Sequence, residues 1–488
     1  MLKEDFLISV RQQVNEYCSE KQIPGFALGI LHNGQIVEKI DGGSRTLDAA
    51  EVPNETSIFR IASMTKSFTA ASILLLRDRG ALRLDDHLVD ILPWTRTIGA
   101  PENSAPISVR DLLTMNAGFP TDDPWGDRQE NLPLADFDSL VQQGLSFARA
   151  PRTGFEYSNL GYALLGRVIA TVSGTSYQTF VQDNLLTPLG MTHTHYEYNK
   201  VPEDLRAHGY ALYASGLVPE PQVTPGAFSA MGGLHSSVRD LGIWVNGFIS
   251  AHHSGAAGSE GTSPALDNSS HPLSIASRLE MQEHQRFVGT TISGDPAKSL
   301  TLSYGYGLMT ETDSQLGRFV FHGGGYPGFG SFMKWHPAST WGIVVLGNRT
   351  YAPVYLLAID ILNRIVAQNA TTPHPSTTLW TETQHAMTVA EQLINQWDES
   401  LADAHFAVNM DMDTPRAERQ AGITELATQV GPFTRLDEGW ISRSPAHVQW
   451  TIQGAENSAR VEILMSPQRP TKIQSLKITA IESGASNL

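Results

Sequence analysis

The sequence is poor in cysteine and in basic residues, and both shortages exclude classes of function. One cysteine, Cys18, occurs among 488 residues, so an intramolecular disulfide and a cysteine-based metal cluster are excluded. Lys and Arg number 34 against 50 Asp and Glu, which gives a formal net charge of −16. Such a chain repels phosphate backbones and anionic lipids, so we expect no nucleic-acid partner.

Long apolar runs are missing as well. The segment Met1–Arg11 carries Glu4 and Asp5 and has no apolar stretch of signal-peptide length. No later segment approaches the roughly 20 apolar residues that cross a bilayer. We therefore expect a cytoplasmic protein without a membrane partner. Hydrophobic residues make up 41% and charged residues 17% of the chain, as is typical of a folded globular protein.

Composition predicts one large domain, a linker and a small domain. Residues 1–370 interleave candidate helices and strands, beginning with a hairpin around Asn33-Gly34 and a buried helix over Lys66–Arg79. Within them, residues 252–272 are rich in Gly, Ser, Ala, Pro and Asn, which predicts a flexible insertion loop. A Pro/Thr-rich linker follows at 371–379, and residues 380–488 predict a small α+β accessory domain.

The predicted C-terminal domain has two helices and three strands. Apolar residues at helical spacing from Ala390 to Leu401 predict one amphipathic helix, and Pro415–Val430 a second. Alternating β-rich runs predict strands at Val448–Ile452, Val461–Met465 and Leu476–Ile481. Its polar residues form no recognisable set of acid, base and nucleophile, so we expect a supporting role.

The first chemical motif is Ser63-Met64-Thr65-Lys66. At a helix N-terminus, a spacing of three residues places the hydroxyl and the amine on one face, within reach of each other. An alcohol becomes a good nucleophile only when a base takes its proton, and a buried lysine can be that base. The motif also occurs at Ser331–Lys334, in a β-like run where residues three apart point to opposite faces, so we give that copy no function.

The residues around Ser63 carry a family resemblance. Phe59–Ala70 resembles the nucleophile segment of class C β-lactamases and their penicillin-binding, D-aminopeptidase and esterase relatives. Further blocks resemble that family at Val109–Pro120, Pro188–Met191 and Met231–Leu234. The resemblance covers roughly residues 8–366. It implies a β-lactamase/transpeptidase-like fold of the α/β (α+β) class, with an antiparallel sheet flanked by helices beside a helical lobe.

Two more elements follow in family order. Tyr157-Ser158-Asn159 resembles the second family motif, which implies that Tyr157 shares the proton transfer with Lys66 and that Asn159 orients the substrate amide. His322-Gly323-Gly324 stands where β-lactamases carry Lys-Thr-Gly. The resemblance implies that the backbone N–H groups of Gly325 and Ser63 form an oxyanion hole.

The histidine in the third element changes the expected substrate. It removes a fixed cation that β-lactamases use near the substrate carboxylate, so a β-lactam is a doubtful natural substrate. His322-Gly323-Gly324-Gly325 also looks like the oxyanion loop of α/β-hydrolase lipases. We reject that alternative because the chain has no Gly-x-Ser-x-Gly elbow.

Together these elements predict a serine hydrolase that acts on amide or ester bonds through an acyl-enzyme. Candidate substrates are short peptides, D-amino-acid amides and carboxylic esters, with specificity in loops near 120–135, 205–235 and 300–312. Whether Lys66 or Tyr157 is the base stays open, as does self-association. We expect no cofactor and no metal. The alternative is a non-catalytic scaffold or assembly protein that retains the fold.

Overall fold

The computed structural model describes residues 2–48, 51–253, 271–292, 299–369, 379–430, 433–435, 440–454 and 457–481. The chain divides into two compact units, Met1–Ala370 and Thr371–Leu488. Most of the predicted insertion at 252–272 and of the predicted linker at 371–379 lies outside the described residues.

The sheet of the first unit begins with the hairpin that Asn33-Gly34 predicts. Both residues have positive φ, 50° and 78°, as a two-residue type I′ turn requires. The described strands of this unit are β1 (Gly25–His32), β2 (Gln35–Gly43), β3 (Phe59–Arg60), β4 (Tyr210–Tyr213), β5 (Gly216–Pro219), β6 (His235–Ser236), β7 (Arg286–Ile292), β8 (Ser299–Tyr304), β9 (Met309–Asp313), β10 (Gly317–Tyr326), β11 (Phe329–His336) and β12 (Trp341–Gly347).

Eight of these described strands form one antiparallel sheet in the order β2-β1-β12-β11-β10-β9-β8-β7. Strands β8 and β9 occupy most of the range 300–312, so the expectation of a loop there is wrong. Their ladder runs from Leu300 opposite Asp313 to Tyr304 opposite Met309, and this pairing leaves only a short turn at 305–308.

Helices cover both faces of this sheet. The described helices of the first unit are α1 (Glu4–Glu20), α2 (Thr65–Asp78), α3 (Leu88–Ile91), α4 (Val109–Leu113), α5 (Asp123–Gly126), α6 (Leu134–Gln142), α7 (Asn159–Ser173), α8 (Tyr177–Val181), α9 (Thr187–Leu189), α10 (Ser229–Gly232), α11 (Val238–Ala251), α12 (Ile275–Met281) and α13 (Val354–Asn369). Helices α1 and α13 share one apolar core with the sheet. Helices α2, α7 and α11 share a second core with its other face.

Helix α2 carries the first chemical motif, and its end was predicted correctly. It stops at Asp78, and Gly80 follows with φ 73°, a left-handed conformation that glycine adopts without strain. Its residues from Thr65 to Leu76 are all buried. Because this helix is buried on every side, the motif at its start is held in a fixed position.

The second unit is the predicted α+β fold. Its described elements are α14 (Thr381–Asn395), α15 (Glu399–His405), α16 (Asn409–Asp413), α17 (Arg416–Val430), β13 (Thr434–Arg435), β14 (Ile441–Ser444), β15 (His447–Gln453), β16 (Ser458–Met465) and β17 (Ile473–Ile481). Alternate residues of β15 and β16 are buried, as the sequence pattern predicts. Their apolar side packs with residues of α14, among them Ala390 and Leu393.

One helix prediction in this unit is wrong. The apolar spacing from Ala390 to Leu401 predicts one helix, but α14 ends at Asn395 and Gln396 is extended, with φ −153°. Asp398 then caps a new helix, because its side chain accepts hydrogen bonds from the backbone N–H groups of Ser400 and Leu401.

Candidate active site

Ser63 lies in a short 3-10 turn, Ala62–Met64, between β3 and α2. Ala62 has φ 47°, a left-handed conformation that costs free energy for a residue other than glycine. Two hydrogen bonds hold the preceding Ile61: its N–H donates to Leu234 O at 3.0 Å, and Ser331 Oγ donates to its carbonyl at 2.8 Å. The turn therefore presents Ser63, 7% exposed, from a fixed backbone.

Lys66 lies one helical turn after Ser63 and is fully buried. Its Nζ is 2.8 Å from Ser63 Oγ, 2.7 Å from Asn159 Oδ1 and 2.9 Å from Met231 O. Burial lowers the pKa of Lys66 to about 8, against the raising effect of nearby carboxylates, of which Asp123 contributes most. An amine with this pKa carries a neutral fraction near neutral pH.

Tyr157 reaches the same place from the loop that precedes α7. Its ring centroid is 4.9 Å from Lys66 Nζ. Burial raises the pKa of the Tyr157 hydroxyl well above its usual range, Asp123 raises it further, and a hydrogen bond with Ser63 opposes both. The structure thus brings together the three residues that the sequence predicts as catalytic.

Asn159, the first residue of α7, is buried with both ends of its amide engaged. Oδ1 accepts from Lys66, and Nδ2 donates to Asp123 Oδ1 at 2.9 Å. The resemblance implies a role in orienting the substrate amide. In this structure the polar atoms of the side chain contact Lys66 and Asp123.

His322 lies on β10 at the edge of the site and is 3% exposed. Its Nδ1 donates to Gly323 O at 2.7 Å, and Nε2 lies 3.4 Å from the hydroxyl of Tyr304. Burial, with a contribution from Lys66, lowers the pKa of His322 to about 3. The imidazole is therefore neutral at ordinary pH and supplies no cation to a substrate carboxylate.

The glycines after His322 run along β10 beside the turn Ala62–Met64, which carries the predicted nucleophile Ser63 and is hereafter called the nucleophile turn. A β-carbon on Gly324 would clash with Ile61 O and Ser331 Oγ, so glycine lets the strand approach the turn closely. Gly325 pairs with Gly330 on β11, and a β-carbon there would lie 2.6 Å from the Tyr351 ring. The predicted oxyanion-hole residues Ser63 and Gly325 therefore come from two elements in contact with each other.

The second Ser-x-x-Lys copy is split between two environments. Ser331 faces the nucleophile turn, as described. Lys334 is fully buried, and its ammonium contacts the Glu311 carboxylate and lies 4.2 Å from the Phe319 ring centroid. The expectation that strand geometry separates this serine from its lysine is correct.

Two acidic side chains that were not predicted from the sequence, Asp122 and Asp127, act electrostatically on Lys66. Asp122 accepts hydrogen bonds from the backbone N–H groups of Asn159 and Leu160. The pKa of Asp127 is raised to about 7, because the effect of burial outweighs the lowering effect of a hydrogen bond from Tyr351. The sequence places them in a loop named only for specificity, because loop aspartates have no periodicity that separates them from solvated surface residues.

Glu130 and Arg60 form a buried ion pair at the same site. Their nearest N and O atoms are 3.1 Å apart, and the guanidinium of Arg60 also lies 3.8 Å from the Tyr326 ring centroid. Ser229 Oγ donates to Glu130 at 2.9 Å. This arginine is therefore already engaged by protein groups.

Two features of the described residues bear on other functions. No cluster of three or more His, Cys, Asp or Glu side chains in them has the arrangement of a metal site. No helix among them has the length and apolar character needed to span a bilayer.

Comparison with known proteins identifies the family. The family model described as Beta-lactamase matches residues 10–368. "Protein flp" of Staphylococcus aureus (strain MRSA252) is 29% identical over 333 residues, which are 67% of this chain and 60% of that protein. "Penicillin-binding protein 4*" of Bacillus subtilis is 27% identical over 336 residues, 62% of this chain and 63% of that protein. The chain thus spans less than two thirds of these curated relatives.

Solved structures agree on the fold. An octameric penicillin-binding protein homologue from Pyrococcus abyssi aligns with a TM-score of 0.62 and 21% identity, over 97% of this chain and 99% of that one. A class C beta-lactamase aligns with a TM-score of 0.57 and 19% identity, over 75% of this chain and 97% of its own. Because the family model covers most of the chain and the fold agrees with it, this protein belongs to the beta-lactamase family.

Proposed function

We propose that this protein is a serine hydrolase that cleaves amide or ester bonds of small substrates through an acyl-enzyme on Ser63. The observation that carries the proposal is the buried contact of 2.8 Å between Lys66 Nζ and Ser63 Oγ. Short peptides, D-amino-acid amides and carboxylic esters are the candidate substrates. Membership of the beta-lactamase family supports acyl transfer as the class of reaction.

The hydrogen bonds of Lys66 support a role in proton transfer. A neutral amine has two N–H donors and one lone pair. When the N–H groups bond to Asn159 Oδ1 and Met231 O, the lone pair is left for the Ser63 hydroxyl proton. With a pKa of about 8, roughly one tenth of Lys66 is neutral at pH 7.

The reaction then has two steps. Ser63 Oγ attacks the carbonyl carbon while its proton passes to Lys66 or Tyr157, and the N–H groups of Ser63 and Gly325 stabilise the oxyanion. The leaving amine or alcohol takes this proton from the base. In the second step the base takes a proton from water, which attacks the acyl-enzyme, and returns it to Ser63 Oγ as the carboxylic acid leaves. Burial lowers the pKa of Lys66 and raises that of Tyr157, so Lys66 is the better base and Tyr157 can relay the proton between Ser63 and Lys66.

The uncharged imidazole of His322 supports acyclic amides and esters over β-lactams. A β-lactam antibiotic carries a carboxylate, and the family's usual lysine at this position is absent. The buried Arg60 nearby is engaged by Glu130 and Tyr326 and offers no substitute among the described residues.

Labelling with a serine-reactive fluorophosphonate tests the proposal. Wild type should be labelled covalently, and it should hydrolyse p-nitrophenyl butyrate with kcat/KM rising through about pH 8. Ser63→Ala should lose labelling and reduce turnover by roughly 10³-fold or more. Ser139→Ala is the matched control, because it removes an exposed serine of α6 and should still be labelled.

Absence of labelling and turnover in a folded wild-type protein would overturn the proposal and favour a non-catalytic scaffold. Labelling that survives Ser63→Ala would instead show that the nucleophile is another residue. These outcomes separate a wrong function from a wrong site.

Self-association and the role of the second unit belong to the same proposal. The octameric Pyrococcus abyssi homologue aligns over 97% of this chain, so its alignment includes most of the second unit. We propose that this chain also forms a homo-oligomer and that residues 380–488 support catalysis without supplying a catalytic group. Light scattering after gel filtration tests the first point, and a monomer at micromolar concentration would contradict it.

A further inference from the structure

The side chain of Asn159 is held at both ends, and one end is held by a residue outside the family motifs. Its Oδ1 accepts from Lys66 at 2.7 Å, and its Nδ2 donates to Asp123 Oδ1 at 2.9 Å. Asp123 begins α5, whose Gly126 lies so close to Asn159 that a β-carbon there would be 2.8 Å from Asn159 Cβ. Helix α5 therefore packs directly against this asparagine.

The neighbouring aspartate fixes the backbone of the same residue. Asp122 Oδ1 accepts from Asn159 N at 2.6 Å, and Asp122 Oδ2 accepts from Leu160 N at 2.9 Å. Ser158 Oγ also accepts from Gly161 N and caps α7. With the backbone fixed in this way, rotation of the amide is the remaining freedom of Asn159.

The orientation of that amide decides what Lys66 can do. A carboxylate only accepts hydrogen bonds, so Asp123 requires the NH₂ end of Asn159 to face it. The carbonyl end then faces Lys66 and takes one of its N–H groups. If the amide were reversed, its NH₂ would face Lys66 and compete with Ser63 for the lone pair of the amine.

We infer that Asp123 is a positioning residue for the hydrolysis, which holds Asn159 so that Lys66 directs its lone pair at Ser63. This inference rests on the proposed function. Asn159 then orients the base Lys66, and Asp123, which lies outside the sequence motifs, orients Asn159. Asp123 itself is expected to touch neither the nucleophile nor the substrate carbonyl.

Asp123 also acts on Lys66 through its charge. The two hydrogen bonds place the carboxylate at most about 8 Å from Nζ. At that distance a carboxylate favours the protonated amine, and for a dielectric constant between those of water and the protein interior it shifts the amine's titration upward by about 0.5 to 1.5 pH units. The other groups that act on Lys66 electrostatically or face it are the carboxylates of Asp122, Asp127 and Glu130, the rings of Tyr157 and Tyr162, and the neutral His322.

The test compares Asp123→Asn and Asp123→Ala in the full chain. Both remove the charge, so the rising limb of kcat/KM for p-nitrophenyl butyrate should move to lower pH by about 0.5 to 1.5 units. Asp123→Ala also frees the amide of Asn159, and its kcat should fall by about 10-fold or more with KM changed less than twofold. Asp123→Asn keeps an acceptor for Asn159 and should retain more of the activity.

Asp136→Asn is the matched control, because it removes an exposed aspartate from the first turn of α6. It should leave the pH profile and kcat unchanged. Thermal unfolding of each variant checks that the chain is folded. If Asp123→Ala does not fold, the pH profile of Asp123→Asn still decides.

Two results would overturn the inference. In one, the rising limb stays in place in a folded Asp123→Asn. In the other, the loss in Asp123→Ala falls on KM, as expected if Asn159 served the substrate. Either result leaves the proposed function intact as long as Ser63 is still labelled by fluorophosphonate, so the two claims fail separately.

Discussion

Replacement by Met should affect different properties at the two lysines of the Ser-x-x-Lys motifs. It should lower the stability of the protein at Lys334 and slow the labelling of Ser63 at Lys66. Lys334→Met removes an ammonium that is buried against Glu311, with Asn363 Oδ1 at 3.3 Å. The carboxylate of Glu311, 5% exposed, would then be left buried without its main counter-charge. We expect this change to destabilise the first unit without touching the nucleophile.

The size of the loss follows from that burial. Breaking one side of a buried ion pair costs about 3–5 kcal/mol. A unit of 370 residues has a large unfolding entropy, so this loss lowers Tm by about 4–6 °C. Replacing both partners, in Lys334→Met/Glu311→Met, should recover most of the loss, because an apolar pair needs no counter-charge.

Calorimetry of the full chain measures the stability, and fluorophosphonate labelling measures the site. Lys334→Met should lower the transition of the first unit and still be labelled. Lys66→Met should be labelled about 10²–10⁴ times more slowly. An unchanged Tm in Lys334→Met, or loss of labelling in a folded Lys334→Met protein, would refute this prediction.

Three other predictions concern the site and the second unit. Gly324→Ala should reduce kcat at least about 10-fold in ester assays, because its β-carbon collides with the nucleophile turn, and normal turnover would contradict this packing argument. Cephalosporins should be hydrolysed poorly beside nitrophenyl esters, since His322 is uncharged, and efficient cephalosporin turnover would refute this prediction. A chain truncated after Gln368 should fold and turn over esters, and a folded truncation that is acylated at Ser63 but cannot deacylate would assign a catalytic group to residues 369–488.

Local signals in the sequence predict much of the framework. Asn33-Gly34 favours one turn type whatever surrounds it, and the structure has that hairpin. Gly80 ends α2 for an equally local reason. The alternation in β15 and β16 predicts a half-buried sheet because one face must meet a core. Where a single local preference decides the conformation, the sequence is sufficient.

The break between α14 and α15 could not be predicted from apolar spacing. Trp397 and Leu401 continue the helical pattern of Ala390 and Leu393, and both pack against the same core. A cap at Asp398, worth about 1 kcal/mol, competes with helix continuation. Tertiary packing decides between them, and the apolar spacing does not reveal that packing.

In the site, the predicted residues converge, but their partners were missed. Ser63, Lys66, Tyr157 and His322 belong to motifs whose spacing or family resemblance singles them out. Asp123 contacts Asn159 across 36 positions of sequence. A long-range hydrogen bond between two common polar residues leaves no pattern in a single sequence, so only the fold reveals it.

The central claim is that Ser63 is the residue acylated during turnover. Intact-protein mass spectrometry after brief incubation with p-nitrophenyl butyrate and rapid acid quenching tests it most directly. We predict one added butyryl group on wild type, located on the peptide that contains Ser63, and none on Ser63→Ala. An acyl adduct that persists in a folded Ser63→Ala protein would contradict the claim.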